Sequence, residues 1–353
     1  IVDIDLCKKL SKKIEMNLIK GIQPSIIQLL CLACFNPLYE YKWHEMLTVP
    51  KELETIFNLQ IFEVKKERCL ENKIKCLSKI SHDVSYQSKL KVMSFNVRLF
   101  DLYNWSHNEE TKSKIISFIK NENPDIICFQ EYYYDSNNDF VTRDLILKEL
   151  GFEYYYESFT NETNKNAHFG LATFSRYPII EKNNIEFNND QSNHCIWSDI
   201  VFKTDTIRIF NTHLGSIRFN HSDYNIIGGK GSPLWPHQKI PKQDIINRLK
   251  IGFIKRSQQL KELLPIIDKS PFNKIICCDL NDTPISFAYN QFNKNYKDAF
   301  TISGLGIGGT YIGKVPFLRI DYIWHDENLE SMNFKTHPFE FSDHRAISVD
   351  ILF

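Results

Sequence analysis

Six short stretches of this sequence bring a carboxylate, an amide or an imidazole to the end of an apolar run. Residues 90–95 lead into Asn96, 125–130 into Glu131, 207–212 into His213, and 275–278 into Asp279, Leu280 and Asn281. Asp321 lies within Arg319-Ile320-Asp321-Tyr322, and Ser342-Asp343-His344 precedes a final run that alternates through Ile347, Val349 and Ile351. Taken singly, an Asn or Asp after a strand is usually a turn residue, and a lone His a hydrogen-bonded structural group. Together the six carry what metal-assisted hydrolysis of a phosphoester needs. Glu131, helped by Asn96, offers oxygen ligands to a hard cation such as Mg²⁺. A carboxylate or imidazole can take a proton from water, and N–H donors can meet the charge that develops on oxygen.

These groups require strands to present them. Residues 90–95, 125–130, 169–175, 197–202, 206–211, 274–278, 319–324 and 346–352 read as strands. Residues 109–121 and 242–267 read as helices, the first ended by Pro124. Strands with interspersed helices predict an α/β protein whose sheets are covered by helices. The texture differs before residue 89: 6–22 and 51–80 alternate apolar and charged residues at helical spacing. The chain therefore divides into a mainly helical segment, 1–88, with no function legible in it, and one domain over 89–353.

Composition narrows the classes. With 42% hydrophobic residues in 353, the chain has ample core, which excludes disordered and collagen-like architectures. Its 43 basic and 43 acidic side chains cancel, and residues 89–353 carry 30 against 32. The broad basic footprint of a protein that grips nucleic acid by neutralising phosphates is missing, although a local patch would still admit nucleic acid as a substrate. Nine cysteines, three of them (Cys128, Cys277, Cys278) inside apolar runs, point to core thiols in a reducing, cytoplasmic setting. Cys31, Cys34, Cys69 and Cys76 lack zinc-ribbon spacing and read as structural. The apolar run 26–35 is shorter than the ~20 residues a spanning helix needs. Because the chain begins with Ile1 rather than Met, an upstream targeting signal, with secretion or membrane association, stays open.

Here a resemblance becomes specific. Ser94-Phe95-Asn96-Val97-Arg98, Pro124-Asp125-Ile126-Ile127-Cys128-Phe129-Gln130-Glu131, Asn211-Thr212-His213-Leu214, Asp279-Leu280-Asn281-Asp282-Thr283-Pro284, Arg319-Ile320-Asp321-Tyr322 and Ser342-Asp343-His344 resemble, in the same order, the endonuclease/exonuclease/phosphatase superfamily. That superfamily includes pancreatic-type deoxyribonucleases, exonuclease III-type repair enzymes, neutral sphingomyelinases and inositol polyphosphate 5-phosphatases. The similarity spans residues 89–353. It implies a four-layer α/β sandwich, two packed mixed β-sheets flanked by helices, with the site at one edge.

The resemblance also implies roles. Glu131 is expected to be the principal Mg²⁺ ligand, with Mn²⁺ able to substitute, Asn96 its neighbour and Asp343 close by. Asp279 would orient or deprotonate water, and Asn281 would donate to the transition-state oxygens. His344, oriented by Asp321, would contact the scissile phosphate, and His213 would act as a second acid or charge stabiliser. Which histidine moves the proton stays open. Two departures stand out: a glycine of the family's motif is Cys278 here, a side chain that could crowd the strand end, and His213 stands where repair enzymes carry a Tyr, against an abasic-site repair role.

Weaker candidates complete the reading. Arg98 and Arg319 are offered as phosphate contacts or structural ion pairs, and His168 as a substrate contact. Gly170 is expected to permit close packing, and Tyr132-Tyr133-Tyr134 to anchor a loop or stack on a ligand. The segment 218–241, with Lys230 and Lys239 and followed by Lys242, reads as a rim loop. The expected activity is Mg²⁺-dependent hydrolysis of a phosphoester or phosphodiester, with a small or lipid-derived substrate favoured over duplex DNA. A nuclease and a catalytically silent phospholigand-binding relative are the alternatives. A monomer without an obligate protein partner is expected.

Overall fold

A computed structural model of the chain describes residues 88–137, 140–163, 166–188, 190–217, 242–313 and 318–353. The expected helices at 6–22 and 51–80, the four N-terminal cysteines, and the rim loop with Lys230 and Lys239 lie outside the described residues. The described strands are β1 (Lys89–Asn96), β2 (Ile126–Asp135), β3 (Tyr154–Thr163), β4 (Ala167–Ser175), β5 (Ile179–Phe187), β6 (Asp190–Phe202), β7 (Asp205–His213), β8 (Asn273–Asp279), β9 (Lys297–Asp298), β10 (Asp321–His325), β11 (Glu330–Thr336) and β12 (Ile347–Leu352). The helices are α1 (Thr111–Glu122), α2 (Arg143–Leu150), α3 (Lys242–Asp268), α4 (Phe287–Phe292) and α5 (Ala299–Ser303). No helix among the described residues is long and apolar enough to cross a membrane.

The strands form two six-stranded mixed sheets, ordered β11-β12-β1-β2-β4-β3 and β5-β6-β7-β8-β10-β9. All eight strands expected from sequence are present; β6 begins seven residues before the expected start, at Asp190, and β2 runs five residues past the expected end, to Asp135. The four that were not expected, β3, β5, β9 and β11, are the four edge strands. An edge strand has solvent along one side, so its apolar alternation is diluted by polar residues that also block edge-to-edge pairing. In β5, Glu181, Lys182 and Asn183 are all exposed.

Period-two alternation sorts the side chains into three cores. Between the sheets lie Leu90, Val92, Ile126, Cys128, Ile207, Ile209, Ile275, Cys277, Ile323, Ile347 and Val349. On the outer face of the first sheet, Met93, Phe95, Ile127 and Phe129 pack against Ile115 and Ile119 of α1 and Ile146 of α2. On the outer face of the second, Phe210, Ile276, Cys278, Tyr322 and Trp324 meet Leu260 and Leu263 of α3 and Phe292 of α4. Helix, sheet, sheet and helix stack as the four-layer sandwich. Cys278 therefore points into the helix-side core, where it crowds nothing at the site.

Along one end of the sandwich, the inward faces change from apolar to polar. Leu90 and Val92 give way to Ser94 and Asn96, Ile126 and Cys128 to Gln130, Ile207 and Ile209 to Asn211 and His213, and Ile275 and Cys277 to Asp279. Antiparallel β10 begins where its neighbours end, so its inward residues run the other way, from Asp321 to Ile323. Close approach elsewhere is set by Gly170 in β4, where a Cβ would stand 1.9 Å from the Ser158 carbonyl oxygen of β3. Helix α1 ends one residue beyond the expected 121, at Glu122, capped by left-handed Asn123 (φ 49°) ahead of Pro124.

Candidate active site

Strand register places three ionisable groups in one row. His213 is opposite Asp279 in the parallel β7–β8 pair, and Asp279 is opposite Asp321 in the antiparallel β8–β10 pair. Neighbouring strands lie about 4.8 Å apart, so side chains in such a row touch. His213 Nε2 is 3.5 Å from Asp279 Oδ2. His344, entering from the turn before β12, has Nδ1 2.9 Å from Asp321 Oδ2 and 3.9 Å from Asp279 Oδ2. Burial pushes the Asp279 carboxyl up, as does Asp321, while His344, His213 and the Asn96 amide pull it down; the net shift is upward. Burial alone would drive His344 toward neutrality, but Asp321, Asp279 and Asp343 outweigh it and hold the imidazole well above its ordinary range.

The opposite sheet closes on this row through Asn96. Its Nδ2 donates to Asp279 Oδ2 at 2.8 Å, across the sandwich, and to Glu131 Oε1 at 3.1 Å within its own sheet. Strict alternation would send Glu131 outward once Gln130 faces inward. A bulge prevents this: the β2–β4 register shifts between Phe129 and Tyr132, and Glu131 adopts φ 48°. Bulges re-aim side chains in this way, at a left-handed cost of roughly 1–2 kcal/mol for a non-glycine residue. A second left-handed stretch follows β1, with φ between 45° and 62° at Arg98, Leu99, Phe100 and Asp101. It is anchored by buried Phe100 against Phe129 and Tyr132. Arg98 N donates to Asn96 Oδ1 at 3.0 Å, fixing the amide.

The remaining predicted residues divide clearly. Asn281, itself left-handed (φ 53°), donates its backbone N–H to Asp279 Oδ1 at 3.0 Å and its amide to the Leu214 carbonyl at 3.0 Å. Asp343 faces Arg98 Nε at 3.7 Å, and that guanidinium covers the Trp105 ring at 4.5 Å. Arg319 is structural: it is buried, with Nη1 2.6 Å from Asp298 Oδ2 and its guanidinium against Phe300. His168 of β4 packs on Phe159 and stacks on Tyr134, which lies three residues along β2 from Glu131. Tyr132 and Tyr133 are buried core residues rather than ligand platforms.

Three contributors were not singled out as site residues. Gln130 Nε2 donates to Asn211 Oδ1 at 2.8 Å, and Asn211 Nδ2 reaches back to the Phe129 and Ala172 carbonyls, a buried polar bridge tying the sheets together just beneath the site. Both sit inside recognised motifs, so period-two alternation was a usable signal. Thr310 Oγ1 accepts from the backbone N–H groups of Ile320 and Asp321 at 3.0 and 3.1 Å. Its segment carries no periodic signal.

The donor chemistry suits a divalent cation. Glu131, Asn96 and Asp343 offer carboxylate and amide oxygens, the type hard cations take, and a single Asn96 amide nitrogen bonds two carboxylates. Among the described residues, Asp279, Asp321 and His344 also bring one possible ligand atom each to within 4.8 Å of one another. Within this group His344 Nδ1 lies 2.9 Å from Asp321 Oδ2, at ordinary hydrogen-bond distance.

The model of the endonuclease/exonuclease/phosphatase family matches residues 93–344, from within β1 to His344 itself. The chain belongs to this family. Family members are hydrolases of phosphoester bonds, generally dependent on a divalent metal. Solved structures agree in fold. The human Nocturnin catalytic domain with bound sulfate is similar over 76% of this chain and 94% of its own, at 20% identity and a TM-score of 0.53. A family protein from Beutenbergia cavernae is similar over 75% and 71%, at 14% identity and 0.54. A humanized D. rerio TDP2 carrying 14 mutations is similar over 74% and 98%, at 15% identity and 0.53. No curated protein matches the sequence.

Proposed function

We propose that this protein is a Mg²⁺-dependent phosphodiesterase or phosphatase acting on a small or lipid-derived phosphoester. The observation that carries the reading is the Asn96 amide bonded at once to Glu131 and Asp279, which joins a cation-type oxygen set to a buried general base. Glu131, Asn96 and Asp343 would hold the cation, which supplies charge neutralisation on the phosphoryl oxygens. Asp279, its carboxyl raised by burial, takes a proton from the attacking water more readily than an ordinary aspartate. The phosphorus gains that water's oxygen and loses the leaving oxygen. His344, held protonated by its carboxylates and oriented by Asp321, faces the developing charge. His213 and the Asn281 amide complete the donors around the site.

Duplex DNA is the weaker substrate because residues 89–353 carry no excess of positive charge. A panel of bis(p-nitrophenyl) phosphate, sphingomyelin-type, inositol phosphate, RNA and DNA substrates, assayed with Mg²⁺ and with chelator, tests the proposal. Metal-dependent turnover of a small or lipid phosphoester is expected. Turnover confined to nucleic acid would make the nuclease reading the better one, and no turnover on any member would favour the silent phospholigand-binding relative.

A further inference from the structure

Arg256 of α3 is fully buried, although it touches none of the groups just assigned. Its Nε lies 2.9 Å from Asp282 Oδ2, and its Nη1 donates to the Gly215 carbonyl at 2.8 Å. Asp282 follows Asn281 in the turn after β8, and Gly215 lies two residues beyond His213 in the turn after β7. One guanidinium therefore spans the two turns that carry His213 and Asn281. Those turns also bond directly, through Asn281 Nδ2 to the Leu214 carbonyl and Leu214 N to the Asp279 carbonyl at 2.9 Å. One helical turn further along α3, Gln259 accepts the Gly215 N–H at 2.9 Å.

Stability does not account for this arginine. Burying a charge is costly, and a hydrophobic residue of similar volume often serves a core as well or better than a buried ion pair. The pairing is also incomplete: Arg256 Nη2 is buried without a hydrogen-bond partner. Burial lowers the pKa of Arg256, offset in part by the Asp282 and Asp279 carboxylates. A rigid planar fork with donors in fixed directions suits holding two backbone turns at one separation.

We infer that Arg256 is a positioning residue, which sets the separation of the His213 and Asn281 turns so that both face Asp279. The inference rests on the hydrolase reading above. Its test uses the full-length protein and three variants: Arg256→Lys, the double variant Arg256→Met/Asp282→Asn, and Arg208→Lys as a control. Arg208 of β7 makes a comparable ion pair with buried Asp199 of β6, toward the end of β7 away from His213. With Mg²⁺ and bis(p-nitrophenyl) phosphate, Arg256→Lys is expected to lower kcat at least tenfold while KM stays within threefold. The double variant should lose the same activity while melting close to wild type, whereas Arg208→Lys should lower the melting temperature and leave kcat in place. The His213 imidazole NMR signal of the metal-free protein, assigned through His213→Gln, should move in both Arg256 variants and hold in the control. Wild-type kcat in either folded Arg256 variant, an unmoved His213 signal, or failure of Arg256→Lys to fold would overturn the assignment. Should the wild-type protein turn over nothing, the hydrolase reading fails, and the His213 signal alone decides the positioning role.

Discussion

Asp279 and Asp321 stand directly opposite one another on β8 and β10, and the His344 imidazole lies against both, at 3.9 and 2.9 Å. Two buried carboxylates at strand spacing cannot both be ionised without a counter-charge. His344 provides it, and the carboxylates beside it in turn hold its imidazole well above the ordinary histidine range.

The first prediction concerns pH. If His344 works as an imidazolium, kcat should persist well above the ordinary histidine pKa of about 6.5 and fall only in the alkaline range. Burial disfavours the charged ring, and Asp321 is the strongest influence opposing burial. Asp321→Asn should therefore move the alkaline limb to lower pH and reduce kcat. The linked stability has the same sign: a raised folded-state pKa stabilises fully below the unfolded value and fades as pH rises through the folded one. The melting temperatures of wild type and variant should thus converge at alkaline pH. A pH–rate profile with an unmoved limb would remove His344 from the role.

Glu131→Gln and Asp279→Asn should each lower turnover by at least about 100-fold, since each removes a charge used in the transition state. Chelation of the divalent metal should do the same reversibly. The melting behaviour of Asp279→Asn should differ from that of an ordinary core polar substitution. Asp279 pays a burial penalty when ionised, a cost present above the unfolded aspartate pKa, so Asp279→Asn should melt no lower than wild type near neutral pH. Calorimetry alongside steady-state kinetics checks both halves.

Asn211→Ala should destabilise the domain by at least about 2 kcal/mol, because the Phe129 and Ala172 carbonyls and the Gln130 amide would lose their shared buried partner. Urea titration measures this directly. An effect under about 0.5 kcal/mol would mean the inter-sheet bridge is dispensable.

Binding to duplex DNA should be weak, with a shallow salt dependence. Each phosphate neutralised contributes about −0.9 to the slope of log affinity against log salt, so three contacts from Lys230, Lys239 and Lys242 give about −3. Titration by fluorescence anisotropy at several salt concentrations tests this. A slope steeper than about −6 would bring the nuclease reading forward.

Sequence alone singled out the candidate site residues and the strands that present them. Asn96, His213 and Asp279 each end a buried run, and burial on both faces makes such a run continuously apolar and easy to recognise. The four edge strands escaped notice because solvent along one side lets polar residues interrupt the pattern. Residue type also could not separate Arg98 from Arg319: only packing shows one beside Asp343 and the other sealed against Asp298. Tertiary structure alone decided that Glu131 turns inward, since a bulge is a register event between β2 and β4 that neither strand encodes by itself. It likewise decided that His213, Asp279 and Asp321, separated by scores of residues, form one row. Period-two alternation tells each strand which face to bury, but the meeting of those faces depends on the register between strands, which only the packed sandwich fixes.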